Sequence, residues 1–505
     1  MERTIRKIVI AGGGTAGWIT AGLLARHYHP LKKSGIDITL VESSDIPIIG
    51  VGEGTWPTMR RTLQKIGIKE SDLLQHCHAT FKQGSQFHNW RNDKSPQSYT
   101  HPFNPPVQAI PELSAYWCHQ SESSFADCLD IQQQLGNLGL SPKTLDMPEY
   151  AGILNYGYHL DAGAIAELLK QHCIENLYVN HKIGTITAAR KNQHGDIDSI
   201  LCEDGHELLG DLFIDCTGFA ARLIGEELNI GVNKVDDILF ADKALAVQVP
   251  HTNPDVNPSA FTHSTAKNAG WIWDIGLNHR RGVGYVYSSQ HSSREQAEIE
   301  LSNYIGDEYS QLSVRELNIN SGYRERFWHK NCVAIGLSAG FIEPLEASAL
   351  MLIELSANMI CERLPANRGA MDHIAQQFND AFEQKWLRII DFLKLHYCLS
   401  DRQSPFWRDN RLQETIPESL QQNLELWRYH VPSGYDFSTN NEVFSWASYQ
   451  YVLYGMGHKT KIDPQRLTHP ELFNIARKKR EQGYQTLRSQ LPKLRQYLDH
   501  QTAGV

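Results

Sequence analysis

The sequence predicts an α/β fold, and three features carry that expectation. The first fifty residues run strand, glycine turn, helix, strand. Residues 240–290 alternate apolar and polar like antiparallel strands, and from about residue 348 the pattern turns helical. In the opening unit, IRKIVIA is a short β-branched run, GGGTAGW interrupts it, ITAGLLARHY is a run of helix formers, and IDITLVES is a second apolar strand ending in an acid. The tract 88–150 gathers Pro102, Pro105, Pro106 and Pro111 with aromatics between them, the composition of an insertion or long loop. Residues 158–175 are expected to form an amphipathic helix, and 178–215 a β-rich stretch closing on DLFIDC. KALAVQV, WIWDIGL and GVGYVYSS are expected as antiparallel strands. Helices follow through 370–398 and near the end, on either side of an aromatic, Pro- and Ser-rich tract at 400–450.

Composition narrows the function classes. With 505 residues, 41% hydrophobic and 21% charged, the chain is an ordinary globular one with length for several domains. Its 48 basic against 57 acidic residues give a net charge of −9, which lacks the basic excess that displaces counterions from nucleic acid. The nine cysteines form no C-x-x-C pair, so neither a disulfide framework nor a zinc site is suggested, and no metal is expected. No uninterrupted apolar stretch reaches the ~18 residues of a membrane span. Arg3, Arg6 and Lys7 ahead of IVIAGGG could pass for the start of a signal peptide, but the glycines fit the first strand of a nucleotide fold better. The expectation is a cytoplasmic protein with neither nucleic acid nor membrane as partner.

Gly12, Gly14 and Gly17 form G-x-G-x-x-G between strand and helix, with Thr15 and Ala16 opening the helix. The first glycine makes the tight turn, the second admits a pyrophosphate to the backbone, and the third lets the helix approach the strand. The helix N-terminus offers free N–H groups to the anion. Glu42 closes the second strand, where a carboxylate can accept from a ribose hydroxyl. A second glycine turn, GVGEGT with Gly50, Val51 and Gly52, and the strand DLFIDCTGF, ending on Thr217-Gly218, are elements an NAD dehydrogenase does not need. Flavoproteins use such returning strands to close over the ribityl chain and the flavin, and a second G-x-G-x-x-G for NAD(P)H is missing.

GGGTAGW, VESSDIPIIGVGEGTWP, ATFKQGSQFHNW, YGYHLDA, DLFIDCTGF, GWIWDIGL, GYVYSS and NCVAIGLSAGFIEPLEASAL occur in that order. Together they resemble the flavin-dependent tryptophan halogenases over nearly the whole length. The resemblance implies a flavin monooxygenase type of FAD-binding fold, a box-like domain over residues 1–365 with an added antiparallel sheet. The 88–150 insertion would contribute to the substrate site, and a mainly helical substrate-side module would occupy 366–505. It implies reduced FAD from a separate, transient flavin reductase, with O2, chloride or bromide, and an electron-rich aromatic such as an indole or tryptophan. Gly336 and Leu337 would join the glycine turns at the flavin, and a homodimer is compatible with the family.

Further roles are implied residue by residue. In the family, hypohalous acid reaches a lysine that holds it by hydrogen bond or as a haloamine; Lys82 in ATFKQG stands in that position. Such a lysine must sit in a dry channel, where burial lowers its pKa. Without its motif, Lys82 would be a snorkelling surface lysine. Glu346 in EPLEAS matches the glutamate that faces the lysine and orients the halogen donor or accepts the ring proton; the bland alternative is a carboxylate at a helix N-terminus after Pro344. Glu343 is given a structural role. The halide would lie on the backbone N–H groups of Ser348 and Ala349, where Ala349 replaces the family's glycine and would disturb the pocket if φ must be positive there. A preference for bromide would follow. His101 and Phe103 match residues that stack on the indole, with a plain loop as the alternative. Trp271 and Trp273 share one face of a strand and match channel-lining residues, with an ordinary core pair as the alternative. Gly276 replaces the proline of that motif. In 435–465 no set of residues is legible that would grip a free amino acid, so indole or a larger indole compound is as good a candidate as tryptophan.

Two rivals stand beside this reading. A flavin aromatic hydroxylase would carry an Asp-Gly fingerprint with Ser and Arg, where this chain has Cys216-Thr217-Gly218-Phe219, and a Gly-Asp turn, where it has Gly336-Leu337-Ser338-Ala339-Gly340. The second is a catalytically silent flavin- or indole-binding relative, against which both Lys82 and Glu346 speak.

Overall fold

The computed structural model describes residues 4–28, 35–44, 52–106, 113–120, 123–437 and 442–503. It divides into two compact units, each threaded from three stretches of chain. Unit 1 is Met1–His78, Leu160–Val235 and Asn320–Trp386; unit 2 is Ala79–His159, Asp236–Ile319 and Leu387–Val505.

Unit 1 is built on a six-stranded sheet with the spatial order Trp328–His329, Cys332–Ala334, Leu212–Asp215, Lys7–Ala11, Asp37–Glu42, Asn180–Ile183. All neighbours are parallel except the first pair. Ile8, Val9, Ile10 and Ala11 of the central strand are all buried, as a parallel strand covered on both faces must be. The helix Thr15–Tyr28 starts directly after the glycine turn and packs against the helices Ala162–Glu175 and Ala349–Glu362. The helix expected over 158–175 is shorter than read. Residues Gly157–Leu160 form a strand, and Asp161 caps the helix by accepting from the N–H groups of Gly163 and Ala164 at 3.0 and 3.1 Å.

Unit 2 is built on a seven-stranded sheet with the order Arg315–Asn318, Lys243–Pro250, Arg280–Tyr287, Gly270–Gly276, Thr262–Lys267, Gly84–His88, Ser98–Pro102. The three strands expected in 240–290 are its centre. The tract 88–150 is not a long loop: it holds the edge strand Ser98–Pro102 and short helices at Leu113–Gln120, Phe125–Leu129 and Gln132–Asn137. Pro102 ends an edge strand, where a missing N–H is tolerated. The helix Arg368–Cys398 runs 31 residues, and the boundary between the units falls inside it. Among the described residues no helix is long and apolar enough to cross a membrane.

Candidate active site

The glycine turn of unit 1 lies at the carboxyl ends of the parallel strands, where open α/β sheets bind ligands. Gly12 has φ +106°, and a Cβ there would strike the carbonyl of Cys216. A Cβ on Gly17 would strike the carbonyl of Gly12 and lie 3.4 Å from Leu40, so this glycine sets the close approach of helix and strand. A Cβ on Gly14 would meet nothing within 4 Å, nor would one on Gly218, whose φ is +69°. Bare backbone thus faces open space at both positions, room that a dinucleotide pyrophosphate and its flavin end would need. Glu42 lies across Gly13, and its Oε1 receives His181 Nε2 at 2.8 Å and Lys170 Nζ at 3.1 Å. Gly336, at φ +74°, sits beside the Cβ of Ala16 at the start of the first helix, with Leu337 next to it. Thr15 is buried at the same helix start. Gly52 has φ +130°, while Gly50 and Val51 lie outside the described residues. The residues present therefore fit FAD.

Asp215 organises this end of the sheet, and the sequence reading gave it no role. It is fully buried, and its Oδ1 accepts from Thr217 N–H at 3.0 Å and Thr217 Oγ1 at 2.6 Å. Its Oδ2 accepts from the N–H groups of Leu223 and Ile224, both at 2.8 Å. The aspartate so holds the turn that presents Gly218.

Glu346, Ser348 and Ala349 also belong to unit 1. Glu346 is buried and left-handed at φ 65°, and Ala347 follows at φ 52°. Two consecutive non-glycine residues in that region store strain, and such strain collects at functional sites. The indole N–H of Trp56 donates to the Glu346 carbonyl at 2.8 Å, and Ala347 N–H donates to Pro344 O at 3.0 Å. Glu346 therefore stands before the helix, not in its first turn: Ser348 is the N-cap and Ala349 the first helical residue. The positive φ feared at Ala349 falls instead on Glu346 and Ala347, with Ser348 at φ −78° between them and the helix, so alanine in place of glycine carries no backbone penalty at Ala349. Ser348 and Ala349 keep N–H groups that donate to no protein acceptor among the described residues. One turn further, the buried Glu354 accepts from Thr58 Oγ1 at 3.0 Å and from the Thr62 hydroxyl; burial pushes its pKa up to about 8.

Lys82, His101, Phe103, Trp271 and Trp273 belong to unit 2, and all are buried. Lys82 is only 1% exposed, so the snorkelling alternative is wrong for this residue. Its strand, Thr80–Lys82, pairs with Gly157–Leu160 so that Lys82 stands opposite Gly157, which leaves room for the long side chain. The ammonium lies 5.4 Å from the centroid of the Phe103 ring. Phe103 is fixed by its backbone: its N–H donates to Gln83 O at 3.0 Å, and its carbonyl accepts from Asn155 Nδ2 at 3.0 Å. Asn104 continues the clamp through Gln132 and the buried Asp130, and Tyr451 donates to the Asn104 carbonyl at 3.1 Å. His101 lies on the edge strand, its ring 5.8 Å from Phe392 and 6.1 Å from Tyr451. H-P-F is thus an ordered strand end. Trp271 packs 6.2 Å from Trp90 in an aromatic cluster, and Trp273 lies over Gly284 on the neighbouring strand, where a Cβ would collide with its indole. Sequence reasoning missed Trp56, Asp215, Glu354 and His159; the partners of Trp56, Glu354 and His159 are remote in the chain.

The parallel sheet of unit 1, with its glycine turn at the carboxyl ends of the strands, is that of a dinucleotide-binding α/β protein. The chain belongs to the tryptophan halogenase family, whose sequence model matches residues 7–470. It is 45% identical to the tryptophan halogenase from Shewanella frigidimarina NCIMB 400, whose crystal structure superposes with a TM-score of 0.96 over 99% of this chain and 98% of that one. The flavin-dependent halogenase BrvH from Brevundimonas sp. BAL3 is 32% identical, with a TM-score of 0.87 over 98% of this chain and 99% of that one. The tryptophan 6-halogenase SttH from Streptomyces toxytricini is 30% identical over 89% of both chains.

Proposed function

We propose that the protein halogenates an electron-rich aromatic, an indole or tryptophan, with chloride or bromide as halogen source, and that Lys82 and Glu346 carry the chemistry. Bound FAD, reduced by a separate flavin reductase, would supply with O2 the two-electron oxidation of halide to hypohalous acid. The backbone at Gly12, Gly14 and Gly218, with Glu42, with the sequence Gly50, Val51 and Gly52, and with the turn at Gly336–Leu337, would hold it. The observation that carries the reading is the buried Lys82 ammonium 5.4 Å from the Phe103 ring. A cation so placed is out of water's reach and next to a flat apolar partner, as delivery of a reactive halogen to an aromatic ring demands.

In this reading Phe103 and His101 stack on the substrate ring, and the clamp through Asn104 and Asn155 keeps Phe103 from yielding. Glu346 accepts the proton lost as the ring regains aromaticity, and the N–H groups of Ser348 and Ala349 hold the halide at the positive end of their helix. Trp271 and Trp273 line the inner wall of the passage. The helical stretch 366–505 contributes the substrate side through Phe392 and Tyr451. An indole, or a larger compound bearing one, fits this aromatic lining as well as free tryptophan does.

The test supplies a flavin reductase, NADH, bromide and an indole, and follows the mass of the product. Lys82→Ala should end halogenation while FAD binding and peroxide production continue. Glu346→Gln should slow halogenation by roughly a hundredfold. Halogenation by Lys82→Ala would show the lysine assignment to be wrong, and an unchanged rate in Glu346→Gln would reduce Glu346 to a strained turn residue. Hydroxylation without bromide would replace the reading with that of a monooxygenase.

A further inference from the structure

His159 is fully buried, and the halogenation reading gives it no task. It sits on the strand paired with that of Lys82, directly opposite Thr80. Antiparallel pairing puts Thr80, Lys82 and His159 on one face, with His159 the diagonal neighbour of the lysine. Gly157, the residue directly opposite Lys82, contributes no side chain to separate them. One ring nitrogen, Nε2, lies 2.9 Å from Thr262 Oγ1, while Nδ1 has no hydrogen-bond partner and no contact with solvent. A buried imidazole nitrogen left unpaired is costly to the fold, so its retention asks for a use. While Lys82 is charged, burial, then that charge, then His263, hold the ring's pKa well below the ordinary histidine value, and the Lys82 part of the effect lapses when the lysine gives up its proton. His263, on the Thr262–Lys267 strand packed against it, is itself held low by burial and by Arg281, opposed by Asp274.

We propose that His159 acts through Lys82 as its proton acceptor: in the tautomer whose Nε2–H donates to Thr262 Oγ1, Nδ1 takes the proton the ammonium must release before the amine can be halogenated. The inference rests on the assignment of Lys82 as the halogen carrier. Two basic groups buried together hold one proton between them, since charging both is penalised twice, by desolvation and by repulsion. With the proton on Nδ1, the neutral amine attacks the halogen of hypohalous acid. The N–X bond forms and the O–X bond breaks with its electron pair on oxygen. That hydroxide takes a proton from the amine and leaves as water, giving the haloamine. When the halogen passes to the arene, Nδ1 returns its proton to the lysine nitrogen, and the ring proton goes to Glu346. Halogen delivery from hypohalous acid that is only hydrogen-bonded to the ammonium would need no such base, which makes the two routes separable.

The test uses the full-length FAD-loaded enzyme with a flavin reductase, NADH, bromide and an indole, and records kcat for halogenation from about pH 6 to about pH 10. His159→Phe should lower kcat at neutral pH by roughly tenfold or more and regain activity as alkaline pH deprotonates Lys82 unaided, so its profile moves to higher pH. FAD affinity should not change. Thr262→Val should move the profile the same way by a smaller amount, and it carries the test if His159→Phe fails to accumulate folded. Rates and profiles like those of the unchanged protein in either variant overturn the proposal, as does an activity loss that alkaline pH does not recover. Lys82→Ala run alongside separates the failures: halogenation by that variant removes the lysine assignment itself, whatever the histidine variants do.

Discussion

Replacing Trp56 by phenylalanine tests how the strained turn at Glu346 is held. The indole N–H donates to the Glu346 carbonyl at 2.8 Å, and this bond fastens a residue with φ 65°, followed by Ala347 at φ 52°. Each left-handed non-glycine residue costs about 1–2 kcal/mol, so the turn works against about 2–4 kcal/mol of its own strain. A hydrogen bond of this kind contributes about 1 kcal/mol net. Trp56→Phe keeps an aromatic ring but removes the donor, so the population with Glu346 correctly placed should fall by about that much, roughly fivefold. The expected result is a roughly fivefold lower kcat for halogenation with FAD affinity unchanged, measured with reductase-supplied reduced FAD and bromide. Ala347→Gly removes one of the two left-handed penalties, worth about 1 kcal/mol, and should restore the Trp56→Phe variant to within about twofold of the unchanged protein. A kcat unaffected by Trp56→Phe, or a loss that Ala347→Gly does not repair, would refute the idea that backbone placement of Glu346 limits the reaction.

The parts legible in the sequence are those whose physics is local. Three glycines between a strand and a helix must turn, approach and pack; Gly12 turns at φ +106° against the Cys216 carbonyl, and Gly17 brings the helix onto the strand. The strands of 240–290 were readable because β-branched and aromatic residues recur over seven or eight positions, as in Gly270–Gly276 and Arg280–Tyr287, which are buried along nearly their whole length. Gly157–Leu160 is only four residues long and leads straight into a helix, so its period is submerged in the helical one. The prolines of 88–150 suggested a loop because Pro102 looks the same at an edge-strand end as in a coil. Asp215, Trp56 and His159 were illegible for another reason. Asp215 is one acid in an apolar strand until Leu223 and Ile224 turn their N–H groups to it, Trp56 meets Glu346 290 residues away, and His159 meets Thr262 across 103. The bland reading of Lys82 failed likewise, because its burial is made by the sheet and not by its neighbours in sequence.

Gly284→Ala should cost about 1–3 kcal/mol, because the new Cβ collides with the Trp273 indole and lies 2.6 Å from the Leu245 carbonyl in a sheet that cannot yield. A lower denaturant midpoint with shifted tryptophan emission is expected; an unchanged midpoint would mean that the Trp273 ring lies elsewhere. Glu354→Gln should stabilise the protein, and by more as pH rises. The carboxyl is held up to about 8 by burial, against the opposing bonds from Thr62 and Thr58, while in the unfolded chain it titrates near the ordinary value of about 4.3. Below that ordinary value both states keep the proton and the group adds its full stabilisation. Between the two values only the folded state keeps it, so stability falls as pH rises, and the contribution is gone above the folded value. Each unit of separation is worth ~1.4 kcal/mol, so the total reaches several kcal/mol. The glutamine has no proton to lose and keeps an acceptor for one threonine, while the other hydroxyl can rotate to accept from the amide. Thermal unfolding should therefore find the two proteins close at about pH 5 and the variant several degrees more stable at about pH 9. A Tm difference that stays constant between those pH values would mean that Glu354 is ionised in the folded state, and that the helix carrying Ser348 and Ala349 tolerates a buried charge in its second turn.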